Sequence, residues 1–206
     1  NTYSGNTTIS AGTLAIGGSG SLGSGSYSGS LAVSSGATFQ YSSSSNQSFG
    51  SGASGILAAG TGTILLNGSG VVTINGNNAF TGTLNVAQSL ITQGGTNILK
   101  AGLGYATTIE IMNGGTITVS GTNDNSFIGI LGTSTNIIID TGGKLTAGAT
   151  QNNTYHLYTI TMAGGELAWV NSSCLASGPC SQYGTWMLDA NITVTENSTI
   201  SAQGLT

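Results

Sequence analysis

Short apolar runs, alternating with small polar residues and broken by glycine, recur along the whole chain. TTISAGTLAI (7 to 16), LAVSSGATFQY (31 to 41) and ILAAGTGTILL (56 to 66) each read as strand, small-residue turn and strand, with Gly12, Gly36 and Gly60 at a constant spacing. IEIMNGGTITV (109 to 119), IIIDTGGKLTA (137 to 147) and ITMAGGELAWV (160 to 170) repeat the theme around Gly114, Gly142 and Gly164, at spacings of 28 and 22. LITQGGTNIL (90 to 99), turning at Gly94, precedes them, and ITVTENSTISA (192 to 202) closes the series with Asn197 in the glycine place. Period-two alternation over four or five residues predicts half-buried β-strands, and Gly or Asn at the turns suits a backbone with positive φ.

A two-strand corner that returns at such near-regular spacing is the mark of a parallel β-solenoid. An antiparallel sandwich would instead show longer alternating strands joined by two-residue turns at intervals of roughly 8 to 12 residues. The expected fold is therefore all-β: one solenoid domain over residues 1 to 206, with about nine coils. At the usual strand spacing such a rod is on the order of 45 Å long.

Gly, Ser, Thr and Asn supply more than half of the 206 residues, and only 2 Lys and 6 Asp or Glu are charged. That composition alone suggests disorder, but a hydrophobic fraction of 38% and the recurring β-branched runs argue for a folded core. Stacked coils account for part of the charge deficit. Equivalent positions repeat at one strand spacing, so like charges in successive coils repel, while Asn, Ser and Thr form uncharged ladders. Even so, solvent-facing turns could hold Lys and Glu, and residues 1 to 99 carry no charge at all.

With no Arg and only Lys100 and Lys144, the chain lacks the cations that displace counterions from nucleic acid, so no nucleic-acid partner is expected. No apolar run approaches the roughly 20 residues that cross a bilayer, and the first residues lack a basic and apolar secretion signal. Membrane insertion is not expected, and the chain reads as a mature or excised form.

The opening NTYSGNTTISAGTLAIGGSGSLGSGS, followed by LAVSSGATF, resembles the passenger-associated repeat of bacterial autotransporter proteins. In that repeat an aromatic-small-Gly turn leads into a Thr-rich strand, a small-residue corner and a second strand. NAFTGTLNV (78 to 86) is similar to the same start, with Phe80 for Tyr3 and Gly82 for Gly5. Residues 1 to 90 carry the likeness, and the rest shows general β-helix character. What the resemblance implies is a right-handed parallel β-helix outside a bacterial cell, an adhesin or a scaffold, with no catalytic residues.

Some β-helices are polysaccharide lyases or hydrolases, which need carboxylates, or Ca²⁺-held carboxylates with a basic residue, converging in a groove. Here Glu110, Asp124, Asp140, Glu166, Asp189 and Glu196 are spread nearly one to a coil. Asp140 and Lys144 flank one Gly-Gly corner and Glu166 lies at the equivalent side of the next, so a facing pair can form; the plainer reading is an isolated corner charge or a salt bridge between turns. Asn123, Asp124 and Asn125 lack the spaced acids and final Glu of a calcium loop and read as an Asx turn. His156, with no second His or Cys beside it, reads as a packed loop residue. No catalytic residue, metal ligand or cofactor is expected.

Cys174 and Cys180, the only cysteines, enclose LASGP, whose Gly-Pro turn suits a small disulfide loop in an oxidising compartment, the alternative being two reduced thiols. That loop lies in an expected insertion over residues 171 to 186. Five of the 13 aromatic residues, Tyr155, Tyr158, Trp169, Tyr183 and Trp186, gather around it, as a sugar-stacking platform or interface, or as packing beneath a loop. Seven N-x-[ST] triplets are what chance gives in a chain so rich in these residues.

The chain opens at Asn1 inside a repeat motif and reaches Thr206 soon after its last strand pair, with neither a capping helix nor a charged, proline-bearing edge. Such a solenoid is expected to associate head to tail or by strand exchange, through an assembly strand that includes Tyr3, Thr7, Ile9, Leu14 and Ile16. The expected function is an extracellular or cell-surface structural protein, a homopolymer forming a filament or fibre. An adhesin passenger segment that binds glycan or a host surface is the alternative, and a polysaccharide-degrading enzyme ranks third.

Overall fold

A computed structural model gives the fold, which is described for residues 1–50, 56–57, 60–76, 78–93, 107–119, 136–148, 154–157, 159–170, 185–188 and 192–203. The chain is all-β; among the described residues the one helical element is a 3-10 turn at Gly23–Gly25. Among the described residues every pair of strands is parallel, and the strands stack into a β-solenoid. The first sheet holds eight strands: β2 (Thr13–Gly18), β5 (Thr38–Ser43), β7 (Thr63–Leu66), β9 (Thr83–Val86), β11 (Thr108–Ile111), β13 (Asn136–Asp140), β16 (Thr159–Ala163) and β19 (Ile192–Glu196). The second also holds eight: β3 (Ser26–Tyr27), β6 (Gln47–Phe49), β8 (Val72–Asn75), β10 (Ser89–Gln93), β12 (Thr116–Val119), β14 (Lys144–Gly148), β17 (Glu166–Val170) and β20 (Thr199–Gln203). A third side carries two short ladders: β1 (Thr7–Ile9) pairs with β4 (Leu31–Val33), extended by a bridge from Leu31 to Leu57, and β15 (Thr154–Leu157) pairs with β18 (Thr185–Leu188).

The register sets the coil length. Thr13 pairs with Thr38 and Thr38 with Thr63, two equal steps. The step shortens from Thr63 to Thr83, lengthens from Thr108 to Asn136 and is longest from Ile160 to Ile192. This longest step brackets the expected insertion over 171 to 186, most of which lies outside the described residues.

Alternation along each strand builds the core. In the first sheet Leu14, Phe39, Ile64, Leu84, Ile109, Ile137, Ile160 and Ile192 form one inward column. Two residues on, Ile16, Tyr41, Leu66, Val86, Ile111, Ile139, Met162 and Val194 form a second. From Phe39 to Ile160 and from Tyr41 to Met162 these side chains are buried. Each contributes about 1.5–3 kcal/mol on leaving water. The strand starts that flank them align as Thr13, Thr38, Thr63, Thr83, Thr108, Asn136 and Thr159, an uncharged column of the kind expected for stacked coils.

The corners differ from expectation. Gly12 and Gly36 turn the chain from the third side into the first sheet, joining β1 to β2 and β4 to β5. Gly114, Gly142 and Gly164 instead turn it from the first sheet into the second, joining β11 to β12, β13 to β14 and β16 to β17. The series that reads as one repeated corner is therefore two corners on different sides of the coil. Gly60 and Asn197 also depart from the positive-φ expectation: the left-handed glycines do not include Gly60, and Ser24 is the single non-glycine with positive φ among the described residues. At Gly60 the need is space, since a Cβ there would strike the Val33 carbonyl.

Where corners interrupt the ladder, uncharged side chains take over the backbone's hydrogen bonds. Gln88 accepts from the Gly68 N–H and donates to the Gly70 carbonyl at 3.0 Å. Asn78 accepts from Leu57 N at 3.0 Å, Asn46 from Val71 N at 2.9 Å and Asn6 from Ser30 N at 2.9 Å. Buried amides are costly unless paired, and Gln88 and Asn78 are paired to backbone groups, while Asn6 and Asn46 make the same kind of bond at exposed positions.

The first coils are filled by aromatics. Phe49 is the hub, with edge-to-face contacts to Tyr27, Phe39 and Tyr41 at ring separations of 6.4, 5.8 and 6.3 Å. The two buried tyrosines keep their hydroxyls satisfied: Tyr27 bonds Thr7 Oγ1 at 2.7 Å and the Gly5 carbonyl, and Tyr41 donates to the Ser45 carbonyl at 2.8 Å.

Candidate functional site

The five charged side chains on described strands, Glu110, Asp140, Lys144, Glu166 and Glu196, lie on the later coils around the Gly-Gly corners between the two sheets. Two glycines recur there because two separate demands meet. Gly142 has φ +78°, and the residue after it, Gly143, lies so close to the coil below that a Cβ would run into the Ile111 carbonyl. The pair Gly164–Gly165 repeats the arrangement.

A shallow groove of about 240 Å³ runs along this corner, lined by Gly142, Gly143, Gly164 and Gly165 and by Thr116, Lys144, Glu166 and Thr199. Lys144 and Glu166 are direct register partners on β14 and β17, and Lys144 Nζ meets Glu166 Oε2 at 3.1 Å. Ser201 Oγ on β20 donates to Glu166 Oε1 at 2.6 Å. That hydroxyl, and then Lys144, hold the Glu166 carboxyl below the usual carboxylate range, against an opposing effect of burial. Both charged side chains remain about one-third exposed, at 32% each.

Asp140 does not join them. It ends β13, one coil above Glu110 on β11, and Glu110 is pushed above the ordinary carboxylate range, first by burial and then by the charge and hydrogen bond of Asp140. At this corner Lys144 faces Glu166, a salt bridge between turns, while Asp140 is the neighbour that raises Glu110. On the outer rim Thr141 Oγ1 lies 3.3 Å from Glu196 Oε2, and Ser198 Oγ accepts from Gly164 N at 3.0 Å. Chemically the groove offers hydroxyls, one ammonium and one carboxylate already neutralised by each other. Among the described residues no three His, Cys, Asp or Glu side chains are grouped to hold a metal ion, and no helix is long and apolar enough to cross a membrane.

The other sequence candidates are spread along the rod. Tyr155 on β15 pairs in register with Trp186 on β18, and Trp169 lies on β17. His156 is also on β15, opposite Met187. Tyr158, Tyr183, Cys174, Cys180, Gly94, Lys100, Asn123, Asp124, Asn125 and Asp189 lie outside the described residues. At the opposite end Thr7 and Ile9 sit in β1, with Ile9 buried, and Leu14 and Ile16 sit half-buried in β2. Tyr3 is 47% exposed and stacks on Tyr27 at 6.3 Å.

The aromatic-x-Gly signature has a physical basis. The Tyr3 ring lies 3.1 Å from where a Cβ on Gly5 would stand, and the Phe80 ring 2.6 Å from the same point on Gly82, so each ring lies over the glycine two residues on. The two copies are nonetheless differently placed, since Phe80 is buried. No family model, curated protein or solved structure matches the chain.

Proposed function

We propose that the chain is a structural segment of an extracellular or cell-surface bacterial protein, a right-handed β-solenoid of about nine coils that stacks on copies of itself. The observation that carries the reading is the continuity of the core columns. β2 and β19 are the outer strands of one parallel sheet, and Leu14 and Ile16 of the first stand in the columns of Ile192 and Val194 of the second. A second copy's β2 thus offers β19 the same side-chain spacing and strand direction that each coil offers the next. Val194 and Ile200 are 61% and 68% exposed on the outer coil, where that contact would cover them. A head-to-tail contact of this kind does not close on itself and extends into a rod.

Right-handed winding is the sense that parallel strand connections take. The ring-over-glycine arrangement at Tyr3 and Phe80 supports the kinship with passenger-type repeats, and with it a location outside a bacterial cell. No reaction is assigned: the paired Lys144 and Glu166 and the neighbouring carboxyls of Glu110 and Asp140 are read as structural. Sedimentation and negative-stain microscopy of the full chain at micromolar concentration test the proposal. Rods several subunits long are expected, shortened by Val194→Lys and Ile200→Lys; a monomer at every concentration overturns self-association.

The register pairing of Tyr155 with Trp186 favours a second reading, a glycan- or host-binding adhesin segment, because it places two of the five clustered aromatics on adjacent strands. Glycan-array binding that disappears in Trp186→Ala and Trp169→Ala supports it, and unchanged binding in both variants removes that site.

A further inference from the structure

The chain contains three Asn-Gly pairs, Asn67-Gly68, Asn75-Gly76 and Asn113-Gly114. An asparagine followed by glycine is chemically exposed to spontaneous deamidation, because no Cβ shields the next backbone nitrogen and the chain bends freely there. The fold treats the three pairs differently. Asn75 is buried, its amide nitrogen donating to Ser48 Oγ at 2.9 Å and to the Gly50 carbonyl at 3.1 Å, and Gly76 is buried with it. Asn67 is exposed, but its Oδ1 accepts from Gln40 Nε2 at 3.2 Å. Its would-be attacking nitrogen, on Gly68, donates to Gln88 Oε1, and Gly68 packs against the Ser43 backbone too closely to admit a Cβ.

Asn113 and Gly114 are both exposed at the tip of the corner between β11 and β12. The Asn113 amide reaches over Gly142 of the next coil, and a single 3.1 Å hydrogen bond from Gly114 N to the Gly142 carbonyl holds the nitrogen.

We propose that Asn113 is a modification site, at which the folded protein deamidates selectively. The Gly114 nitrogen attacks Asn113 Cγ, a C–N bond forms, the Cγ–Nδ2 bond breaks and ammonia leaves. Water then opens the resulting succinimide at either carbonyl, giving aspartate or isoaspartate, with no oxidant or reductant consumed. The new carboxylate stands over Gly142, two residues from Asp140 and close to the end of Glu110's own strand, in a stack otherwise sparing of charge. The isoaspartyl product also lengthens the backbone by one carbon at a corner fitted to the coil below. Both products load like charge onto consecutive coils and the isoaspartyl one adds backbone strain, so the modification loosens the later coils as the protein ages.

Peptide-mapping mass spectrometry of the full chain, held folded in neutral buffer and in parallel in urea, tests this. In the folded chain Asn113 is expected to convert at least about tenfold faster than Asn67 and Asn75, which must wait for local opening, while in urea the three convert at comparable rates. Asn113→Gln is expected to abolish the folded-state conversion. Conversion of Asn67 or Asn75 as fast as Asn113 in the folded chain overturns the proposal. So does an Asn113 that stays intact when folded but converts in urea.

Discussion

Gln47 serves Leu22 as a strand would: its Oε1 accepts from Leu22 N at 2.8 Å and its Nε2 donates to the Leu22 carbonyl at 3.2 Å, deep in the rod. In the second sheet Gln47 heads a column that continues through Val72, Leu90, Ile117, Leu145, Leu167 and Ile200. Below it the chain turns through the 3-10 segment, so the coil beneath presents bare backbone instead of a strand residue. Gln47→Leu would match the rest of the column but leave two buried backbone groups unpaired, and is expected to cost about 2–4 kcal/mol. Gln40→Leu, on an outward position, should stay within about 0.5 kcal/mol. Urea midpoints at unchanged slope measure both, and equal effects would remove the strand-substitute role of Gln47.

The core columns predict a gradient along the rod. Ile137→Ala, at a buried position between Ile109 and Ile160, should cost about 2–5 kcal/mol through lost burial and the cavity left behind. Val194→Ala, in the neighbouring column but 61% exposed, should cost about 0.5 kcal/mol or less in the monomer. Thermal or urea unfolding separates the two.

Adjacent glycines at one corner should respond differently to alanine. At Gly142 the added methyl meets φ +78° and the movable Asn113 side chain, for a cost of about 1–2 kcal/mol. At Gly143 φ is ordinary, but the methyl points at the Ile111 carbonyl, so a whole coil must shift and a loss of more than about 2 kcal/mol is expected. Gly142→Ala proving the more damaging variant would mean that backbone handedness, and not coil-to-coil distance, sets the double glycine.

The strands, their alternation and their stacking were legible in the sequence because side-chain period and repeat length survive in one dimension. Ile109, Ile137 and Ile160 could be read as equivalent from spacing alone. Which side of the coil a corner occupies could not, since strand-turn-strand reads the same at Gly36 and at Gly142 while the register puts them on different sides. The working amides were equally hidden. Gln47, Gln88 and Asn78 look like the polar background of the composition, and their partners Leu22, Gly68 and Leu57 lie about one coil away. Of the groove, Lys144 and Glu166 were visible as a candidate pair, but the nearness of Asp140 to Glu110 depends on the register between β11 and β13, which the turn glycines alone do not assign.

Glu110 and Glu166 should tune stability with pH in opposite directions. Glu166 titrates below its ordinary value when folded, because Ser201 and Lys144 favour its charged form. Its stabilising contribution is therefore present above the ordinary carboxylate range and disappears as pH falls through the lowered folded value. Glu110 titrates above its ordinary value, because burial and Asp140 disfavour its charge. Its contribution is complete below the ordinary range and is lost as pH rises through the raised value. At neutral pH Glu110→Gln should consequently stabilise the fold, by removing a charge held in an unfavourable place. Glu166→Gln should destabilise it, by no more than about 1 kcal/mol given how exposed the Lys144 pair is. Below the carboxylate range both variants should converge on the parent, since both carboxyls are then protonated in every state. Urea midpoints from acid to neutral pH test the pair together. A Glu110→Gln variant that is less stable than the parent at neutral pH, or a difference that persists in acid, would show that the Glu110–Asp140 contact holds the coils together instead of straining them.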